Sequence, residues 1–130
     1  QICQYLDSNL KILYVSGEES AHQLKLRASR LGVTADNLSL LCETDAQYIC
    51  ELISAEKPDI VMIDSIQTMN IAELSSSSGS ITQVRETTNM FMRTAKTFRL
   101  CLLTYYINRL IILYILLIMH IICAVSGRAK

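Results

Sequence analysis

The sequence predicts an α/β fold built on a parallel sheet, and three observations predict it. Short apolar runs recur at residues 11–16 (KILYVS), 37–42 (NLSLLC) and 59–64 (DIVMID), each of a length suited to a strand. Stretches with helical spacing and helix punctuation lie between them. The third run is nearly all apolar until its last residue, as in strands covered on both faces, and such strands joined by helices form parallel sheets. The chain has 130 residues, 51% of them hydrophobic and 18% charged. That is enough for one modest domain and too apolar for a disordered chain.

Residues 1–6 read as the end of a helix, since they carry no start signal. The first strand, 11–16, is followed by a helix over 19–31 with Leu24, Ala28 and Leu31 on one face. Gly32 is its natural stop. After the second strand, Thr44 and Gln47 have the spacing of a capping box. The helix they open runs to about Lys57, with Ile49, Leu52 and Ile53 inward, and Pro58 ends it. The third strand leads into a polar loop over 66–79 that holds four consecutive serines, 75–78. Ser80 and Gln83 form a second capping box, opening a helix to about Lys96.

Twelve basic and twelve acidic residues cancel over the whole chain, but they are unevenly placed. Every acid lies between Asp7 and Glu86, so residues 1–97 carry a net −4 and residues 98–130 a net +4. From Leu100 to Val125, 22 of 26 residues are apolar and 14 of these are Leu or Ile. The composition divides the chain into a soluble α/β part, 1–97, and an apolar tail, 98–130, expected to be mostly helical because nothing in it breaks a helix. Cysteines stand at 3, 42, 50, 101 and 123 without a CxxC pair. That excludes a zinc ribbon and a secreted disulfide scaffold, and suits reduced thiols in a cytoplasmic protein.

Parallel sheets bind ligands at the carboxyl ends of their strands, and two of these ends are chemically loaded. The first strand runs into Ser16-Gly17-Glu18-Glu19-Ser20, the third into Asp64-Ser65. An acid after four apolar strand residues is the Walker-B pattern, which sets a carboxylate beside nucleotide phosphates to hold Mg²⁺. A glutamate on a neighbouring strand end can orient or deprotonate the attacking water. The structural alternatives are a turn or helix cap for Asp64 and a dipole-favoured acidic pair for Glu18 and Glu19. A phosphate-binding loop, G-x-x-x-x-G-K-[ST], is absent from the 130 residues: Gly17, Gly32, Gly79 and Gly127 fit no such spacing.

Three segments carry a family resemblance: LYVSGEESAHQLKLRASRLGV (13–33), KPDIVMIDSIQT (57–68) and ELSSSSGSITQVRE (73–86). With them, residues 10–96 resemble the bacterial RadA (Sms) DNA-repair proteins of the RecA-like ATPase group. The resemblance implies a partial RecA-like P-loop core that uses ATP and Mg²⁺. It implies homo-hexameric rings acting on single-stranded or branched DNA beside a recombinase. Carried over, Glu18 resembles the water-activating glutamate, with Glu19 its neighbour. Asp64 resembles the Walker-B carboxylate and Mg²⁺ ligand, and Ser65 lies next to it at the nucleotide. The 66–79 loop corresponds to a mobile segment facing DNA, bringing Ser75, Ser76, Ser77, Ser78, Gln83 and Arg85 to that side. The complete family's zinc finger, phosphate loop, KNRFG motif and protease-like domain do not occur in these residues. The chain therefore reads as a fragment of a RadA-like protein, inactive alone, that leaves the family pattern near Phe98.

Two other classes compete. A receiver domain would use Asp64 as phospho-acceptor, but Ser65-Ile66-Gln67-Thr68 does not match the loop it requires. A small membrane-anchored α/β protein would span the bilayer with the run from Leu100 to Val125, since about 20 apolar residues suffice. A frameshifted reading of AT-rich DNA explains the same run. Lys25, Arg27 and Arg30 on one helix, and Arg85, Arg93 and Lys96 on another, read as solvated faces.

Overall fold

A computed structural model describes residues 9–33 and 36–105. β1 (Ile12–Ser16), α1 (Ala21–Arg30), β2 (Leu38–Cys42), α2 (Ala46–Glu56), β3 (Ile60–Asp64), α3 (Ile81–Phe98) and β4 (Cys101–Tyr105) follow in chain order, with a 3-10 turn at Ile66–Thr68. All four strands are parallel, in the order β2-β1-β3-β4. The three strands expected from the sequence form where expected.

The strand alternation builds two faces. Leu13, Val15, Val61 and Ile63 pack against Ile49 and Ile53 of α2 and Phe91 of α3. Ile12, Ile60 and Met62 face the other way, with Tyr14, Leu38 and Leu103. Only Leu24 of α1 is buried. Leu31, expected inward, is 46% exposed, because α1 ends beside Gly32, whose left-handed backbone (φ 66) turns the chain away.

Two capping expectations are corrected. Asp45, not Thr44, caps α2, accepting from the amides of Gln47 (2.8 Å) and Tyr48 (3.2 Å). Thr44 is held elsewhere: its amide donates to Glu43 Oε1 and its carbonyl accepts from Asn70. At α3, the Ser80 hydroxyl caps the Gln83 amide as expected, but the Gln83 side chain turns away from the cap.

The apolar tail does not begin as a helix. Arg99 takes a left-handed conformation (φ 54) that stops α3. The Cys101 amide then donates to Asp59 at 2.9 Å and sets β4 in register beside β3. Leu102 packs on the α2–α3 side and Leu103 on the opposite side. A strand covered on both faces needs no polar alternation, so an unbroken apolar run serves it as well as it serves a helix. The sheet thus continues past residue 97. The rest of the tail and the helix end expected at 1–6 lie outside the described residues.

Candidate active site

The order of the strands creates a switch point. The chain leaves β1 for β2 on one side and crosses back to β3 on the other, so the connections diverge between the carboxyl ends of β1 and β3. Ser16 pairs with Asp64 there, and the Gly17 amide extends the ladder by donating to the Asp64 carbonyl at 2.9 Å. The two loaded strand ends are immediate neighbours.

The loop after β1 is closed by its own chemistry. Ser16, 3% exposed, accepts the Glu19 amide on its hydroxyl at 3.0 Å. Ser20 begins α1 with a full capping box to Gln23, a spacing the sequence contains and the reading above overlooked. Gly17 is required by close approach: a Cβ there would overlap the Thr68 side chain, lying 2.7 Å from its Cβ. The two loops touch at that point.

Each predicted acid has a partner from another element. Glu18 is exposed, and its Oε1 accepts from the hydroxyl of fully buried Ser65 at 2.7 Å and from Gln67 Nε2 at 3.4 Å. Asp64 accepts a hydrogen bond on Oδ2 from the Tyr14 phenol, two residues back on β1 and on the same face. Arg27 of α1 donates to the Tyr14 oxygen at 3.4 Å and pairs with Glu19 at 2.7 Å. The phenol is pushed above its usual range, first by burial and then by its bond to Asp64. Tyr14 and Arg27 were missed from sequence. Tyr14 reads as strand filler, yet its even spacing from Asp64's pairing partner, Ser16, is the available signal. Arg27 reads as part of a solvated face.

The other sequence-predicted residues stand apart. Ser75, Ser77 and Ser78 are exposed in the loop after β3, and Ser76 is half-buried. Arg85 is exposed and bonded to its neighbour Glu86 at 2.9 Å. Gln83 does not present its side chain outward: it is 2% exposed and bonded to the backbone of the same loop. A cavity of about 420 Å³ lies beneath α1 and meets the site only through Tyr14 and Arg27.

Among the described residues, no three His, Cys, Asp or Glu side chains gather into a metal cage. One strand-end carboxylate beside a serine hydroxyl instead fits Mg²⁺, which is commonly held by one or two carboxylates together with substrate phosphates. Cys42 and Cys50 are free thiols. No helix of the described residues is long and apolar enough to cross a membrane.

These features define a parallel α/β core with acids at the two strand ends beside its switch point. Sequence comparison supplies the family. The chain is 47% identical over 97 residues to the DNA repair protein RadA of Haemophilus influenzae, covering 75% of this chain and 21% of that protein. It is 52% identical over 89 residues to RadA of Listeria monocytogenes, covering 68% and 20%. With RadA of Escherichia coli it shares 49% over 92 residues. The chain belongs to the bacterial RadA family, and it spans about a fifth of the length of these relatives. No family model matches it. Among solved structures, a KaiC-like protein of Pyrococcus horikoshii superposes with a TM-score of 0.47 at 14% identity, over 74% of this chain and 49% of that one.

Proposed function

We propose that the chain is a segment of a RecA-like, DNA-dependent ATPase of DNA repair, and that Glu18 and Asp64 are its hydrolytic carboxylates. The observation that carries the reading is their joint placement. Glu18 lies two residues past the end of β1, Asp64 ends the neighbouring parallel β3, and Ser65, the residue after Asp64, donates to Glu18 at 2.7 Å. Asp64, with Ser65 beside it, is the residue to hold the Mg²⁺ of MgATP, whose chemistry is to neutralise charge on the phosphates. Glu18 keeps one carboxylate oxygen fixed by Ser65 and Gln67, so the other is oriented to accept a proton from water. Glu19 does not share that role: Arg27 pairs with it, and it steadies the loop.

The whole protein would act as a hexameric ring on single-stranded or branched DNA beside a recombinase, in the cytoplasm, with the 66–79 loop toward the DNA. Those properties rest on the family and not on the geometry of this segment. The 130 residues alone bind no triphosphate productively. They contain no Gly-rich loop with a lysine, and backbone N–H groups of such a loop are what cradle phosphates. The receiver reading shares the sheet order, since both classes place an acid at the end of β3. The relatives at 47–52% identity favour RadA.

The test is ATP turnover by residues 1–130, set beside the same segment placed in a complete RadA chain. The expected result is hydrolysis only in the complete chain, lost with Asp64→Asn. Hydrolysis by the 130-residue chain that disappears with Asp64→Asn would contradict the role given to the missing loop.

A further inference from the structure

One buried polar side chain is used by neither the sheet nor the carboxylate pair. Gln83 sits at the third position of α3, where a capping-box glutamine would reach back to the amide of the N-cap residue. Here the Ser80 amide donates to the Ser77 carbonyl at 3.2 Å instead. The freed Gln83 amide makes three bonds to the loop. Its Oε1 accepts from the Ile71 amide at 2.9 Å, and its Nε2 donates to the Ile71 carbonyl at 3.2 Å and to the Ser76 carbonyl at 3.0 Å. Both hydrogens and an acceptor site are used. The side chain grips Ile71 on both its backbone groups, as a neighbouring strand would, and ties Ser76 to the same point.

We infer that Gln83 is a positioning residue that fixes the shape of the serine loop, so that Ser75, Ser77 and Ser78 form a preformed outward surface with Ser76 turned in. The pattern of exposure follows the grip: Ser76, whose carbonyl is held, is half-buried, and its three serine neighbours are exposed. The other end of the loop is held too. The Asn70 amide donates to Thr44, and the Asn70 carbonyl accepts from Ala46, each at 2.9 Å. A buried leucine of the same size would leave three backbone groups without partners in a place that already holds one unpaired buried oxygen, Ser76 Oγ. The loop that the resemblance describes as mobile is therefore anchored at Asn70, Ile71 and Ser76. The functional meaning of this surface, contact with a nucleic-acid backbone, rests on the reading proposed above. The grip itself does not.

Amide hydrogen exchange of the 130-residue chain, read residue by residue by NMR, tests the grip. The Ile71 amide has Gln83 as its bonding partner, so its protection in the unaltered chain reports the contact directly. The expected result is clear protection of Ile71, with Gln83→Leu accelerating its exchange at least about tenfold while Val15 and Ile63 in the central strands change by less than about twofold. Exchange of Ile71 at the free-peptide rate in the unaltered chain would overturn the inference, even if the variant fails to fold. Equal acceleration in loop and strands would also overturn it, since that marks a general contribution to stability. Failure of the ATP turnover test with the Ile71 result intact would remove the ATPase reading and leave the positioning role standing.

Discussion

Three strand ends of this sheet carry acids, and they use them in two ways. At the end of β2, Glu43 accepts from the amides of Thr44 and Asp45, and Asp45 accepts from Gln47 and Tyr48. Each of these partners lies within three residues. At the ends of β1 and β3 the partners come from other elements: Ser65 and Gln67 hold Glu18 and Tyr14 holds Asp64, each 47 to 50 residues away, and Arg27 reaches Glu19 from α1. An acid satisfied by its own backbone has one job, to start a helix. An acid oriented by side chains from other elements has been fixed in space at the convergence of several segments, which is what positioned chemistry needs. The same residue types in similar loops thus separate into cap and site by the sequence distance of their partners.

Substitutions can break that separation, and the largest effect is expected at the meeting point of the two site loops. Gly17→Ala drives a Cβ into Thr68. Overpacking of this kind costs about 1–3 kcal/mol, and thermal unfolding should show the loss together with a displaced 3-10 turn. Removing the Tyr14 hydroxyl comes next. Tyr14→Phe should cost about 1–2 kcal/mol, as for a hydrogen bond to a charged acceptor that is only partly shielded from water. Asp45→Ala should cost about 1 kcal/mol, the usual worth of an N-cap. It should leave turnover of a complete RadA chain carrying the segment unchanged, whereas Tyr14→Phe should lower it. The smallest effect is expected for Arg27→Ala. Its ion pair with Glu19 joins side chains that are 48% and 34% exposed, so stability should fall by less than about 1 kcal/mol and less still in high salt.

Alkaline pH distinguishes site from cap as well. The Tyr14 phenol is raised above its ordinary value of 10.0 by burial and by Asp64. The folded state therefore holds the proton more tightly than the unfolded state. That contribution is complete below about pH 10 and is lost as pH rises through the folded-state value. Denaturant titrations at pH 9 and pH 11 should show a loss of stability that is smaller in Tyr14→Phe. An equal loss in both proteins would remove Tyr14 from the site network.

Much of this was legible in the sequence. The strands at β1, β2 and β3 show as short apolar runs, and the two loaded strand ends follow from them. β4 did not show, because Cys101–Tyr105 opens a run of apolar residues in which a strand covered on both faces and a buried helix look alike. Arg99 marks the break, through a left-handed backbone that no residue type there announces. Glu18 and Asp64 could be named from pattern, but their holders could not. Tyr14 lies 50 residues from Asp64, and Ser65 lies 47 from Glu18. Contacts of that range depend on strand register, which follows from the sheet's pairing and not from local spacing. Gln83 shows the reverse error: its local spacing fits a capping box, and tertiary contacts with Ile71 and Ser76 redirected it.

The most direct test of the distinction between cap and site compares two conservative substitutions in a complete RadA chain carrying this segment. ATP turnover is measured for Glu18→Gln and Glu43→Gln, with thermal stability recorded for both. The account predicts that Glu18→Gln lowers turnover by about 10²-fold or more, as for loss of a general base, with little change in stability, and that Glu43→Gln leaves turnover within about twofold. Equal losses of turnover in the two variants, or an active Glu18→Gln protein, would contradict it.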